Sequence, residues 1–384
     1  MLNSSCCHTN SHALRQVCEN RVCIFTKVIK MHTYPMCDIK NLCDVYIVAY
    51  ITLIVNNFKK GVKIMNKYIG HPTQLYGIEE HRLVGGKGDG MRLLQVNNGR
   101  GLMFTVSADR CGDISRLYFN GKNLAYFAPC GYVAPSFYDN KGVGFLKSFT
   151  AGFLTTCGLT AVGVPCTDDG EELPQHGTIA NTPAENVRYW VDDSLHIVLT
   201  VRDAAPFFHK LVLTREITCP LDEDEIIIKD TVKNEGFSDS PYMILYHFNI
   251  GYPLLSENSV VTLSQNGITP RNERAKEGID TALVMEAPQP DFEEQCYYFN
   301  MTKGEAKIYS PDIDTSLSIN YDTKELPFFT EWKMMGASEY ALGFEPGNCI
   351  ADGRDVMRKN GTLSFIKSGE EISQTITIKV RKGE

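Results

Sequence analysis

The sequence predicts an all-β protein built as one large antiparallel sandwich. Three observations carry that expectation. Apolar and polar residues alternate at period two in segment after segment. Short polar turns join consecutive segments, which makes neighbours antiparallel. No stretch sustains a long helical period.

In chain order, MRLLQVNNGRGLMFTVSA (91–108) reads as strand, Asn-Gly turn and strand. SLHIVLTVRD (194–203), FFHKLVLTREITC (207–219) and DEIIIKDTVKN (224–234) follow, with PLDED as a turn between the last two. PYMILYHFNI (241–250) and GTLSFIKSGEEISQTITIKVRKG (361–383) extend the pattern. The glycine-rich VGGKGDG (84–90) leads into a strand, where a phosphate loop needs a helix, so it reads as a turn. No fixed repeat or Pro/Ser-rich linker divides residues 65–384, which points to a single domain there.

The first 64 residues differ from the rest. They carry eight Lys/Arg against three Asp/Glu and six of the 13 cysteines, whereas the whole chain of 384 residues has a net charge of −8. Their cysteine gaps suit no usual zinc module. The apolar run VYIVAYITLIV (45–55) is too short to span a bilayer. The expectation is that Met65 is the natural start and residues 1–64 are an extension outside the fold. The seven cysteines beyond it are odd in number and widely spaced, as buried thiols in a reducing cytoplasm would be. The acidic balance and the absence of a long basic run exclude nucleic acid and anionic membranes as partners. Oligomeric state is open.

Three residues stand out for chemistry. His176 lies in QHGTIANTPA (175–184), beside Gly177 and between Pro174 and Pro183, where the glycine lets backbone approach a ligand closely. His247 lies in ILYHFNIGYPLL (244–255), where a strand breaks at Gly251 and Pro253. Glu345 closes the strand of YALGFEPGNC (340–349) before a Pro-Gly turn. Singly, each has a bland reading as a satisfied core histidine or a turn cap, as have His196 and His209 within regular strand patterns. Together, strand ends on one sheet face can bring two imidazoles and a carboxylate into a cleft, the groups needed for concerted proton transfer near neutrality. No metal is expected, because no His-Glu zinc spacing is present.

These stretches resemble the aldose 1-epimerase (galactose mutarotase) superfamily, in particular a branch of bacterial members of unknown function. The likeness covers nearly all of residues 65–384. It rests on DRCGDISRLYFNGKNLAY (109–126), FTAGFLTTCGL (149–159), QHGTIANTPAE, LYHFNIGYPLL, FTEWKMMG (329–336) and YALGFEPGN, in that order. It implies a β-supersandwich, a small sugar as partner and no cofactor. His176 is then similar to the family's substrate-binding histidine, His247 to the acid that protonates the ring oxygen, and Glu345 to the base at the anomeric hydroxyl. Arg110, Asn249, Trp332 and Lys333 are further candidates for orienting hydroxyls or stacking on the sugar. Two departures stand out. The usual N-x-x-HGG loop is PQHGT here, and only Glu294 in DFEEQCYY (291–298) offers itself for the sugar-binding carboxylate.

The activity implied is interconversion of sugar anomers. Two rivals keep the fold: a carbohydrate-binding or sensing protein, and a glycoside hydrolase or lyase. The hydrolase needs two carboxylates about 5–9.5 Å apart, and only Glu345 sits in a convincing sequence context.

Overall fold

The computed structural model describes residues 67–384. The expectations about residues 1–64, including the start at Met65 and the apolar run 45–55, lie outside the described residues.

The first sheet has five strands in sequence order: β1 (Gly77–Arg82), β2 (Arg92–Asn97), β3 (Leu102–Ser107), β4 (Asp113–Phe119) and β5 (Lys122–Asn123). Two short pairs follow nearby in the chain, β6 (Tyr126–Phe127) with β7 (Ala151–Gly152), and β9 (Cys166–Asp168) with β10 (Glu171–Leu173). Between them in sequence runs β8 (Leu154–Leu159).

The large sheet has thirteen strands. Besides β8 it contains β11 (Asn186–Val191), β12 (Ser194–Ala204), β13 (Lys210–Pro220), β14 (Glu225–Asn234), β15 (Ser240–Ile250) and β16 (Val260–Pro270). It continues with β17 (Gln295–Ser310), β18 (Thr315–Tyr321), β19 (Phe328–Gly336), β20 (Glu339–Gly347), β21 (Ser364–Ile366) and β22 (Glu371–Lys382). Their order is β11-β12-β13-β14-β22-β18-β17-β19-β20-β15-β21, with β16 paired to β17 and β8 to β15. Every strand pairing is antiparallel.

Period-two patterning explains the layers. On β12, Leu195, Ile197, Leu199 and Val201 are buried while the alternate residues are not. They join one core with Leu94, Phe104, Ile114 and Leu117 of the first sheet and Ile226, Ile228, Ile376 and Ile378 of the large one. Gly70–Glu384 thus forms one compact unit. One buried charge cluster in this core is matched. The fully buried Arg215 donates to both oxygens of Asp230 (2.9 and 2.7 Å) and to Asp113 (2.8 Å), and Tyr246 also donates to Asp230. Partnering of this kind is what a charge inside a sandwich requires.

β15 is buried on both faces. Tyr242, Ile244, Tyr246 and Phe248 enter the main core, whereas Met243 and Leu245 pack in a second cluster with Cys157, Cys349 and Met357. His247 therefore points, with Met243 and Leu245, away from the main core. Among the described residues no helix is long and apolar enough to cross a membrane.

Candidate active site

Four neighbouring strands, β15, β20, β19 and β17, build the floor of a cavity of about 220 Å³. The register of β15 on β20, Leu245↔Gly347 and Phe248↔Phe344, sets His247 across from Glu345. On the other side Glu345 pairs with Thr330, Gly343 with Trp332, and Trp332 with Cys296. Alternation then puts Glu345, Thr330, Trp332 and Cys296 on the face that carries His247. His247 Nε2 lies 3.1 Å from Glu345 Oε1, with both side chains almost wholly buried.

Gly343 makes this convergence possible. A Cβ there would stand 2.7 Å from Glu345 Oε1, 2.9 Å from Trp332 Cβ and 3.4 Å from His247 Cε1. Only a residue without a side chain leaves the two functional groups free to meet. β15 ends at Ile250, as the break at Gly251 indicates, whereas β20 runs further than the sequence indicates, through Pro346 to Gly347, so Glu345 sits within a paired strand and not at its end.

His176 comes from the loop after β10. Its backbone has φ +57°, its N–H donates to Gly163 O (2.9 Å), and its carbonyl accepts from Gly158 N (3.0 Å). Gly177, at φ +72°, is needed because any Cβ would strike the carbonyls of Gly158 and Ala161. The close approach allowed by that glycine is thus to β8 and its following turn, not to a ligand as the sequence had indicated. The His176 ring reaches within 6.0 Å of the His247 ring and 5.1 Å of Phe145.

Aromatic and polar groups complete the walls. Phe149 and Trp332 flank His247 at centroid distances of 5.4 and 5.3 Å. Trp332 Nε1 donates to Glu294 Oε2 at 2.7 Å, which fixes that carboxylate at the cavity wall. Arg271, just past β16, donates through Nε to Asp352 (2.9 Å) and through Nη2 to Ala351 O (3.2 Å). Tyr298 donates to the same Asp352 oxygen at 2.7 Å. Gln175 lines the cavity with its buried Oε1 free of any partner among the described residues.

Burial sets the protonation of the pair. It pushes Glu345 up to about 8, helped by the negative charge of Glu294 and opposed by Arg271. It pulls His247 down to about 3, helped by His176 and opposed by the neighbouring Asn249 amide. His176 falls to about 4 through burial and the Arg271 charge. Near neutrality the cavity therefore holds neutral imidazoles and a protonated Glu345, with one proton available between Nε2 and Oε1.

Of the residues singled out in the sequence, His176, His247, Glu345, Trp332 and Glu294 line this cavity. Arg110, Asn249 and Lys333 do not. Arg110 is buried and spends its guanidinium on the carbonyls of Ala180, Val133 and Ser148, so it ties loops together. Lys333 faces the opposite side of β19 and binds Thr281 O and Glu286. Asn249, two residues on from His247 and on the same face of β15, stops short of the cavity and donates its Nδ2 to the His247 carbonyl at 2.9 Å. Sequence reasoning passed over Arg271, Gln175, Phe149, Cys296 and Gly343. Phe149 and Gly343 lie inside stretches quoted for the family likeness, and Gln175 adjoins His176. Arg271 carried no signal, because it follows a strand in a polar stretch of ordinary composition.

The fold is that of the galactose mutarotase-like class. A candidate aldose 1-epimerase of Klebsiella pneumoniae subsp. pneumoniae superposes with TM-score 0.76 at 26% identity, over 80% of this chain and 84% of that one. A galactose mutarotase-like protein of Clostridium acetobutylicum gives TM-score 0.61 at 14% identity, over 80% and 99%. A galactose 1-epimerase of Lactobacillus acidophilus gives 0.57 at 13%, over 80% and 100%. Within this class the chain belongs to the family described as Domain of unknown function (DUF4432), whose model matches residues 88–380. No curated protein matches the chain in sequence.

Proposed function

We propose that this chain is an aldose 1-epimerase-like isomerase that interconverts the anomers of a small sugar by general acid–base ring opening. The observation that carries the reading is the 3.1 Å contact of His247 with Glu345. The anomeric hydroxyl oxygen and the ring oxygen are bonded to the same carbon, so a base for one and an acid for the other must be neighbours.

The proton shared by the pair supplies both roles. Moving it from Glu345 Oε1 to His247 Nε2 gives a carboxylate and an imidazolium. Glu345 then takes the anomeric O–H proton as C1=O forms, while His247 protonates the ring oxygen as its bond to C1 breaks. Rotation about C1–C2 and reclosure with the roles reversed deliver the other anomer and restore the pair. Each well-placed group is worth roughly 10²–10⁴-fold.

His176, neutral near pH 7, offers an uncharged hydrogen bond in this scheme. Glu294, Arg271 and Gln175 bind hydroxyls, and Trp332 and Phe149 cover apolar sugar faces. The seven free cysteines of the described residues support a reducing compartment. Proton NMR saturation exchange between anomeric signals, across free and phosphorylated aldoses, tests the reading. Transfer with at least one aldose is expected.

A further inference from the structure

Among the described residues the large sheet ends on β11, which has β12 on one side and no hydrogen-bonded strand on the other. β1 touches β11 without pairing to it. Exposed edges usually carry a protection: proline, an inward lysine, a bulge or a very short strand. Asn-Val-Arg-Tyr-Trp-Val has no proline or lysine, and its register on β12 runs from Asn186↔Thr200 to Val191↔Leu195 without a break. Tyr189, Trp190 and Val191 are 42%, 45% and 41% exposed, in successive positions.

The charges around that apolar centre are arranged symmetrically. Arg188 precedes Trp190 by two residues and Asp192 follows it by two. Arg188 is exposed and has no ion-pair partner among the described residues. Asp192, in the turn just past the end of β11, is hydrogen-bonded to Trp190 Nε1, Ser194 N and the His196 ring.

We infer that β11 is the contact by which two copies of this chain join, antiparallel and centred on Trp190, into a two-fold dimer with a continuous sheet. In that register each Arg188 faces the Asp192 of the other copy, and each Tyr189 faces a Val191. Both outer pairs lie on the face of Trp190, because side chains two apart share a face. Moving the centre by one residue sets Arg188 against Ser194 or Trp190 and forfeits both charge pairs. Self-complementarity of one patch is what a two-fold interface demands.

Sedimentation velocity on the full chain tests this. The wild type is expected to sediment as a dimer. Arg188→Asp, at an exposed side chain without a partner, sets two like charges against Asp192 and is expected to raise the dimer dissociation constant at least about tenfold. The reciprocal Arg188→Asp/Asp192→Arg variant restores the pairs and is expected to recover the dimer. A wild type that remains monomeric at the highest soluble concentration overturns the inference. So does a dimer that Arg188→Asp leaves unchanged.

Discussion

His247 and Glu345 stand across from each other on β15 and β20, 3.1 Å apart, and their shared burial moves their proton affinities in opposite directions. The imidazole gives up its proton readily and the carboxyl keeps its own, so one mobile proton occupies the pair across the neutral range. That proton is what anomer exchange consumes and returns.

The pH dependence follows from this count. Above about 8 Glu345 loses the shared proton, and no acid is left for the ring oxygen. Below about 4 His176 becomes charged, and toward about 3 His247 holds a proton that Glu345 has not released. Turnover per KM is expected to be flat between those limits and to fall on the alkaline side near 8. A rate still climbing beyond about pH 9 contradicts the assignment.

The two histidines separate by kinetics. His247→Asn removes the proton donor, so kcat should fall by roughly 10²-fold or more with KM little changed. His176→Asn keeps part of a hydrogen bond to bound sugar, so KM should rise while kcat falls less. Equal, mild effects from both would mean that the donor lies elsewhere.

Gly343→Ala tests the geometry without touching a titrating group. Its Cβ must displace Glu345 Oε1 or Trp332, because both lie within 3 Å of it. A shift of about 1 Å is expected to lower kcat/KM by on the order of 10²-fold, with the β-sheet circular dichroism unchanged. Full activity would show that the strands yield without moving the pair.

Glu331 gives a test of stability apart from catalysis. It is wholly buried on the core side of β19, neither carboxylate oxygen has a partner among the described residues, and burial pushes it up to about 8. The unfolded chain releases this proton near 4.5, so the folded state binds more protons between the two values and loses stability as pH rises through them. Glu331→Gln is expected to match the wild type below pH 4.5 and to melt several degrees higher near pH 8. Thermal melts at the two pH values check this, and a variant less stable at pH 8 would mean that the carboxylate is satisfied there.

Much of this was legible in the sequence. Alternation on β12, β13 and β14 gives strands and their buried faces, because one side of an antiparallel sheet meets the core. His176, His247 and Glu345 could be singled out because proline, glycine and apolar neighbours set each apart. The strand order could not be read, since the insertion of β22 between β14 and β18 depends on pairing between distant segments. Arg110 and Lys333 misled for a related reason. A buried cation looks alike in sequence whether it faces a cavity or a row of carbonyls. Arg271 is held at the cavity by bonds to Asp352 and Ala351, partners 81 and 80 residues away.

The most direct measurement is proton NMR saturation transfer between the anomeric signals of an aldose, with wild type and Glu345→Gln side by side. Glutamine keeps the size of the side chain but cannot carry the shared proton. The account predicts rapid transfer with the wild type, and a loss of roughly 10²-fold or more in the variant while sugar binding persists. Undiminished transfer in Glu345→Gln, or none with the wild type for an aldose that binds the cavity, would contradict it.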